Sequence, residues 1–191
     1  MELYLIRHGE TEWSRTGQHT SRTDLPLTDH GREEAQTLAA RLRGIRFDHV
    51  FSSPRLRART TCELSGLGTP AIEPDLAEWD YGSYEGLRSA EILARQPDWD
   101  IYTHGCPDGE SPAQITARAD RLAARLRPFT GRVAVFSHGH FGRVFGVRWI
   151  RLPLGHARNF VLGTAALSIL GQHDTDPTRA VIRQWNLTPG K

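Results

Sequence analysis

The chain has 191 residues, of which 38% are hydrophobic, and a formal net charge of +2 from 24 basic and 22 acidic residues. This length suits one domain with a real core, the balanced charge argues against nucleic-acid binding, and no run of about 18 apolar residues is present to span a membrane. With no signal-peptide pattern after Met1 and two distant cysteines, Cys62 and Cys106, we expect a single domain over 1–191 in a reducing cytoplasm.

The first half of the chain alternates between strand-like and helix-like segments. Glu2 to Arg7, E-L-Y-L-I-R, predicts a central strand because it is apolar on both faces. Thr28 is the expected N-cap of a helix that runs to about residue 43. Residues 49–52 predict a second strand, and Pro54 is expected to open a helix that ends near residue 65.

The second half continues this alternation. The remaining predicted elements are a loop over 75–86, helices over 89–95 and 111–126, a strand over 132–137, a helix over 141–150, strands over 164–171 and 179–185, and a frayed tail over 188–191. Strands that alternate with helices predict an α/β fold, a three-layer αβα sandwich with a mostly parallel central sheet.

Two histidines follow predicted strands directly. His8 comes after L-Y-L-I-R and His138 after V-A-V-F-S, and each is followed by a glycine, Gly9 or Gly139. In open α/β sheets, sites form at the carboxyl ends of the strands. We therefore expect both imidazoles at one edge of the sheet, with Arg7 beside the first of them.

Six motifs occur in a distinctive order between residues 5 and 140. They are L-I-R-H-G-E-T-E-W (5–13), T-D-L-P-L-T-D-H-G (23–31), S-S-P-R-L-R-A-R-T-T (52–61), L-A-E-W-D-Y-G-S-Y-E-G (76–86), D-G-E-S (108–111) and V-F-S-H-G-H (135–140). Together they resemble the histidine phosphatase superfamily, which includes cofactor-dependent phosphoglycerate mutases and many small phosphatases. The resemblance implies a phosphoglycerate mutase-like fold.

The resemblance also implies five catalytic residues. His8 is expected to attack phosphorus and become phosphorylated, as a neutral imidazole can near pH 7. Arg7, Arg57 and His138 are expected to surround the phosphoryl oxygens, where charge must be stabilised. Glu78 is expected to protonate the leaving oxygen and later to help activate water.

Further positions for phosphate or substrate binding follow from the same resemblance, although ordinary structural roles stay open for several of them. Thr20 could equally be a plain loop threonine, and Tyr81 could pack beneath its loop. Glu10 is better explained as a structural part of its motif. The implied binding positions are Arg7, Ser14, Thr20, Ser21, Arg57, Tyr81, Gly139 and His140.

Finer features resemble a branch with broad-specificity acid phosphatases and sedoheptulose bisphosphatases, and His140 is typical of that branch. The short spacing from Glu78 to Glu110 favours an open site and hydrolysis. We expect a metal-independent phosphomonoester hydrolase for a small phosphorylated metabolite, with a phosphohistidine intermediate and no cofactor, either a monomer or a homodimer. The alternatives are a phosphoglycerate mutase-type isomerase, a narrow sugar-bisphosphatase, and a non-catalytic phosphate-binding module. A metalloenzyme is disfavoured, since no H-E-x-x-H spacing appears.

Overall fold

A computed structural model describes residues 1–189. The six strands in these residues form one sheet: β1 (Glu2–Arg7), β2 (His49–Ser52), β3 (Ala71–Ile72), β4 (Arg132–Ser137), β5 (Leu167–Gln172) and β6 (Ala180–Leu187). Their order across the sheet is β3-β2-β4-β1-β5-β6. The pairs β3–β2, β2–β4 and β4–β1 are parallel, whereas β1–β5 and β5–β6 are antiparallel. The mostly parallel sheet predicted from the sequence is confirmed.

Helices cover both faces of this sheet. They are α1 (Glu12–Thr16), α2 (Asp29–Leu42), α3 (Leu56–Cys62), α4 (Ser89–Arg95), α5 (Ile101–His104), α6 (Pro112–Leu126) and α7 (Gly139–Trp149). Helices α2 and α3 contribute to the core on one face, and α5, α6 and α7 to the core on the other. The predicted αβα sandwich is confirmed. Within residues 1–189, none of the helices is long and apolar enough to cross a membrane.

The central strands β1 and β4 supply apolar side chains to both cores. In β1, Leu3 and Leu5 pack with the α6 and α7 side, whereas Tyr4 and Ile6 pack with the α2 and α3 side. This alternation follows from the two-residue period of a strand. It explains why the sequence of β1 is apolar throughout, and why the strand brings its last residues to a buried edge.

Two helix starts differ from the sequence prediction. Helix α3 begins at Leu56 rather than Pro54, because the backbone of Arg55 is extended and the Leu56 N–H donates to Asp24 Oδ1 at 2.8 Å. Helix α7 begins two residues earlier than predicted, at Gly139, with His138 as its N-cap. Its first-turn N–H groups find acceptors on a distant loop, described below, so the helix can start at the end of β4.

The last two strands begin later than predicted. Residues 164–166 form a turn before β5, in which Ala165 has a φ of 46° and its N–H donates to the His8 carbonyl at 3.0 Å. The predicted loop over 75–86 contains a short 3-10 turn at Gly82–Tyr84. In the predicted tail, the Thr188 carbonyl accepts a hydrogen bond from Arg41, and residues 190 and 191 lie outside the described residues.

Short elements also occur that the sequence patterns do not predict. They include α1, α5, strand β3 and a 3-10 segment at Leu154–Asn159. Each has six residues or fewer, which is too short for a hydrophobic period to be read.

Candidate active site

The end of β1 places His8 next to His138. Arg7 of β1 lies opposite Ser137 of β4 in the parallel register, so the two histidines that follow are neighbours. Their ring centroids are 5.2 Å apart, and both side chains are buried. The expectation that both imidazoles lie at one edge of the sheet is confirmed.

The backbone after His8 passes very close to the start of α2. A Cβ atom on Gly9 would lie 2.3 Å from the Gly31 carbonyl oxygen, and one on Gly31 would lie 2.1 Å from the Glu10 carbonyl oxygen. The Glu10 N–H donates to Glu34 Oε2 at 2.8 Å, and Glu10 Oε1 accepts from the Thr28 hydroxyl at 2.8 Å. Glu10 thus holds the loop that follows His8 against the start of α2, in agreement with the structural role expected for Glu10 from the sequence.

One ring nitrogen of His8 keeps a free lone pair. Nδ1 lies 2.7 Å from the Gly9 carbonyl oxygen. Because a carbonyl only accepts, Nδ1 carries the hydrogen and Nε2 keeps its lone pair. Burial, with the nearby guanidinium groups of Arg57 and Arg7, holds the pKa of His8 well below its ordinary value. His8 therefore stays neutral and able to attack an electrophile in mildly acidic solution.

Arg7 offers unused hydrogen-bond donors beside His8. Its Nη1 donates to the Leu162 carbonyl at 2.6 Å, while its buried Nε has no acceptor among residues 1–189. A Cβ atom on Gly139 would lie 3.3 Å from the Arg7 Cζ, so glycine leaves this guanidinium its space. A buried cation with an unpaired N–H is suited to bind an anion in the adjacent cavity.

Arg57 and His138 lie behind the cavity rather than in its wall. Arg57 Nε donates to His138 Nδ1 at 3.2 Å, so the ring hydrogen is on Nε2, which donates to Ser53 Oγ at 2.7 Å. Arg57 also donates to the Thr20 and Ser21 carbonyls, at 3.1 and 3.2 Å. Here Arg57 fixes the loop that carries Thr20 and orients His138.

Glu78 is held at the N-terminus of α7. Its Oε1 accepts from the N–H groups of Trp79 at 2.9 Å and Phe141 at 2.7 Å, and its Oε2 accepts from the His140 N–H at 3.1 Å. The side chain is 8% exposed. These bonds satisfy two otherwise free N–H groups of α7 and hold Glu78 at the wall of the cavity described below.

Arg118, which the sequence patterns do not single out, supports the loop of Glu78. Its Nη1 donates to the Ala77 carbonyl at 2.7 Å and its Nη2 to the Glu78 carbonyl at 3.1 Å. The same guanidinium pairs with Glu110 at 2.6 Å. Its position, eight residues after Glu110 on α6, gives no local signal for a role so far away in the chain.

A cavity of about 170 Å³ brings together most of the predicted site residues. From the predicted set, it is lined by Arg7, His8, Ser14, Thr20, Glu78, Tyr81, Gly139 and His140. The further lining residues are Gly17, Gln18, His19, Ser89 and Arg143. The signal for Arg143 was available, because it lies four residues, or one helical turn, after Gly139.

Three predicted binding residues have their polar groups engaged within the protein. The Ser14 hydroxyl caps α1 by accepting from the Thr11 N–H at 2.8 Å, and it donates to the Thr11 carbonyl at 3.0 Å. The Ser21 hydroxyl donates to Glu85, away from the cavity. The Tyr81 oxygen lies 2.6 Å from His140 Nδ1, while burial raises the pKa of Tyr81 well above its ordinary value, so it stays a phenol.

Three further polar side chains near the site sequence motifs, His19, Asp80 and His104, lie in different places. His19 lines the cavity, and its ring is stacked on that of His140 with centroids 5.8 Å apart. Asp80 pairs with Arg22 and lies outside this cavity. His104 lies on α5, 3.6 Å from Asp98. In the described part of the chain, no group of three or more His, Cys, Asp and Glu side chains is placed to hold a metal ion.

The buried imidazoles predict a pH-dependent stability. Burial is the largest cause that lowers the pKa of His8, His19, His138 and His140 in the folded protein. As the pH falls below about 6.5, the unfolded chain binds protons that the folded protein does not, whereas above that pH their contribution to stability is fully present. We expect the free energy of unfolding to fall between pH 7.5 and 5.5, by up to about 1.4 kcal/mol per pH unit for each histidine.

Denaturant unfolding at both pH values measures this effect. His19→Asn keeps a donor for the backbone and should reduce the loss of stability at pH 5.5. The matched control is His30→Asn, because the His30 side chain is 65% exposed. Equal stability at the two pH values would contradict the prediction.

Comparisons with known protein families, proteins and structures all point to the same family. The family model described as Histidine phosphatase superfamily (branch 1) matches residues 3–188 of this chain. An acid phosphatase of Mycobacterium tuberculosis is 46% identical over 173 residues, covering 88% of this chain and 85% of that protein. The sedoheptulose 1,7-bisphosphatase of Saccharomyces cerevisiae is 36% identical over 181 residues, covering 78% of this chain and 67% of that protein. The solved structure of open reading frame Rv3214 of Mycobacterium tuberculosis has a TM-score of 0.92 at 41% identity, covering 98% of this chain and 97% of that one.

Proposed function

Because this chain belongs to the histidine phosphatase superfamily, branch 1, and is a hydrolase of that family, we propose that it cleaves small phosphorylated metabolites through a phosphohistidine at His8. One observation carries the proposal. The lone pair of His8 Nε2 and the unpaired Nε–H of Arg7 belong to residues that line the same cavity. A nucleophile beside a cation with a free donor is the arrangement that phosphoryl transfer requires.

The reaction proceeds in two steps. His8 Nε2 forms a bond to phosphorus while the bond from phosphorus to the ester oxygen breaks, and Glu78 gives its proton to the leaving oxygen. Water then attacks the phosphohistidine, Glu78 takes a proton from that water, and the bond between nitrogen and phosphorus breaks to release inorganic phosphate. Arg7 donates to the phosphoryl oxygens, where charge is stabilised in both steps. Metal is not needed for this scheme.

Arg57 and His138 support this chemistry from behind the cavity. Both are fully buried and hydrogen-bonded to each other, and their positive or polarised groups add to the field at the phosphoryl group. The low pKa of His8 keeps its nucleophilic form present in mild acid, which is consistent with an acid phosphatase-like activity. The acid phosphatase relative supports the same interpretation.

A phosphate-release screen tests the proposal. We expect the protein to release inorganic phosphate from simple esters such as p-nitrophenyl phosphate and from sugar phosphates, and to do so without added metal. The decisive control mixes the enzyme with 3-phosphoglycerate and a trace of 2,3-bisphosphoglycerate. Formation of 2-phosphoglycerate without free phosphate would favour a mutase, and an absence of turnover with every ester would favour a phosphate-binding module.

A further inference from the structure

The backbone that follows His8 is held at two successive peptide groups by side chains from two helices. The Gly9 N–H donates to Thr61 Oγ1 of α3 at 3.0 Å, and the Glu10 N–H donates to Glu34 Oε2 of α2 at 2.8 Å. We propose, on the basis of the function proposed above, that Thr61 and Glu34 are positioning residues, which set the direction and the tautomer of the His8 imidazole.

Glu34 acts on the peptide group that serves His8 as an acceptor. The Gly9 carbonyl and the Glu10 N–H belong to one planar unit, in which they point in opposite directions. The carbonyl oxygen lies 2.7 Å from His8 Nδ1, and the N–H is fixed by Glu34. Because the unit is planar, the carboxylate that holds its N–H also directs its carbonyl toward Nδ1. Glu34 thereby keeps the hydrogen on Nδ1 and the lone pair on Nε2.

Thr61 acts on the preceding peptide group, which joins His8 to Gly9. The N–H of this group donates to Thr61 Oγ1, and its carbonyl accepts from the Ala165 N–H at 3.0 Å. Thr61 is fully buried, and its hydroxyl donates to the Arg57 carbonyl at 2.7 Å, so the hydroxyl oxygen is left to accept. Thr61 therefore ties the loop of the nucleophile to the same helix that carries Arg57.

The second carboxylate oxygen of Glu34 holds the other side of His8. Glu34 Oε1 accepts from the Thr164 hydroxyl at 2.6 Å, and the next residue, Ala165, donates its N–H to the His8 carbonyl. The Glu34 side chain is only 11% exposed. One nearly buried carboxylate therefore links the segment after His8 to the turn that binds the His8 carbonyl.

These contacts matter because His8 has one nitrogen for support and one for attack. If Nδ1 lost its acceptor, the hydrogen could move to Nε2, which would then have no lone pair for phosphorus. Rotation of the ring would also displace Nε2, and a misplacement of about 1 Å can cost on the order of 100-fold in rate. Thr61 and Glu34 both lie outside the cavity, so they act through the backbone of the nucleophile and should affect every ester alike.

Two pairs of variants separate the hydrogen bonds from charge and shape. Glu34→Gln keeps the length of the side chain and an oxygen for the Glu10 N–H but loses the charge, whereas Glu34→Asp keeps the charge and is shorter by one methylene group. Thr61→Ser keeps the hydroxyl, whereas Thr61→Val keeps the shape and leaves the buried Gly9 N–H without its acceptor. The measured quantity is kcat/KM for alkyl and for dinitrophenyl phosphates.

We expect Glu34→Gln and Thr61→Ser to retain kcat/KM within about 3-fold of the parent, and Glu34→Asp and Thr61→Val to lose about 10- to 100-fold. The loss should be equal for alkyl and dinitrophenyl phosphates, because attack by His8 is common to both.

The tautomer of His8 is the quantity that a merely structural role would not change. Nitrogen-15 NMR of protein labelled in its imidazoles reports it, with the His8 signals identified by their loss in His8→Asn. The parent, Glu34→Gln and Thr61→Ser should carry the hydrogen on Nδ1, whereas Glu34→Asp and Thr61→Val should show a mixture of the two tautomers. This measurement uses the ligand-free protein and does not depend on turnover.

Matched controls exist for both residues. The Thr116 hydroxyl donates to the Pro112 carbonyl four residues earlier at 2.7 Å, as the Thr61 hydroxyl does in its own helix, but Thr116 lies on α6, on the other face of the sheet from α3. Glu33 precedes Glu34 on α2, and its side chain is 76% exposed. Thr116→Val and Glu33→Asp should leave both kcat/KM and the tautomer unchanged.

The positioning role would be overturned if Glu34→Asp and Thr61→Val kept the hydrogen on Nδ1 and the parent kcat/KM. Equal losses in Glu34→Gln and Glu34→Asp would also overturn it, since the charge rather than the hydrogen bond would then matter. If Thr61→Val does not fold, the Glu34 pair decides the question by itself. A parent protein that has the expected tautomer but releases phosphate from no ester would instead overturn the proposed function.

Discussion

His8→Asn is expected to abolish phosphoenzyme formation and to lower kcat/KM by at least about 10⁴-fold. The Asn side chain can still donate to the Gly9 carbonyl, as His8 Nδ1 does, but it has no atom at the position of Nε2. The loop after β1 therefore keeps its hydrogen bond while the nucleophile is lost. His8→Ala should behave in the same way, without that hydrogen bond.

Two measurements check this result. After mixing with a phosphate ester labelled in the phosphoryl group and denaturation in alkaline detergent, the parent should carry label that acid removes and alkali does not, and neither His8 variant should carry any. The melting temperature separates lost chemistry from lost folding, and the variants should melt no lower than the parent in mild acid, because they no longer bury a neutral imidazole. Turnover of His8→Asn at the parent rate would contradict the central role of His8.

Glu78→Gln is expected to slow the hydrolysis of alkyl phosphates by about 10²- to 10⁴-fold, because no acid remains to protonate the leaving oxygen. The amide side chain of this variant retains an oxygen that can accept from the Trp79 and Phe141 N–H groups. The loss should be much smaller for the first step with 2,4-dinitrophenyl phosphate, since dinitrophenolate leaves without a proton.

The second step exposes the other role of Glu78. Without a base for water, Glu78→Gln should release about one equivalent of dinitrophenolate in a burst and then turn over slowly, as phosphohistidine accumulates. Glu33→Gln, whose parent side chain is 76% exposed, is the matched control and should show steady turnover. Equal losses for alkyl and dinitrophenyl esters, with no burst, would exclude Glu78 as the proton donor.

Local patterns in the sequence were sufficient for the main elements of the fold. Strand β1 and helix α2 have the bounds expected from their periodicity and, for α2, from the Thr28 N-cap. The predicted start of α7 was wrong by two residues, because the acceptors of its first N–H groups are on Glu78, about 60 residues earlier. A cap of this kind leaves no trace in the neighbouring sequence.

The candidate site likewise combines features that local sequence predicts with features that depend on distant residues. The sequence shows directly that His8 and His138 each follow a strand. The parallel pairing of β1 and β4 brings the two residues together, as expected. The position of Arg57 behind the cavity could not be read, because it depends on carbonyl groups of residues 20–23 that fold over it.

The sequence by itself determined the order of strands and helices, the two strand-end histidines and the set of residues that resembles the family. These features depend on residue type and spacing, which a single chain displays directly. Only the tertiary structure decided which side chains line the cavity, and it brought His19 and Arg143 to the site of His8. The physical reason is that hydrogen bonds at the site join residues as far as 155 positions apart, as between Arg7 and Leu162, and such bonds exist only after the sheet has formed.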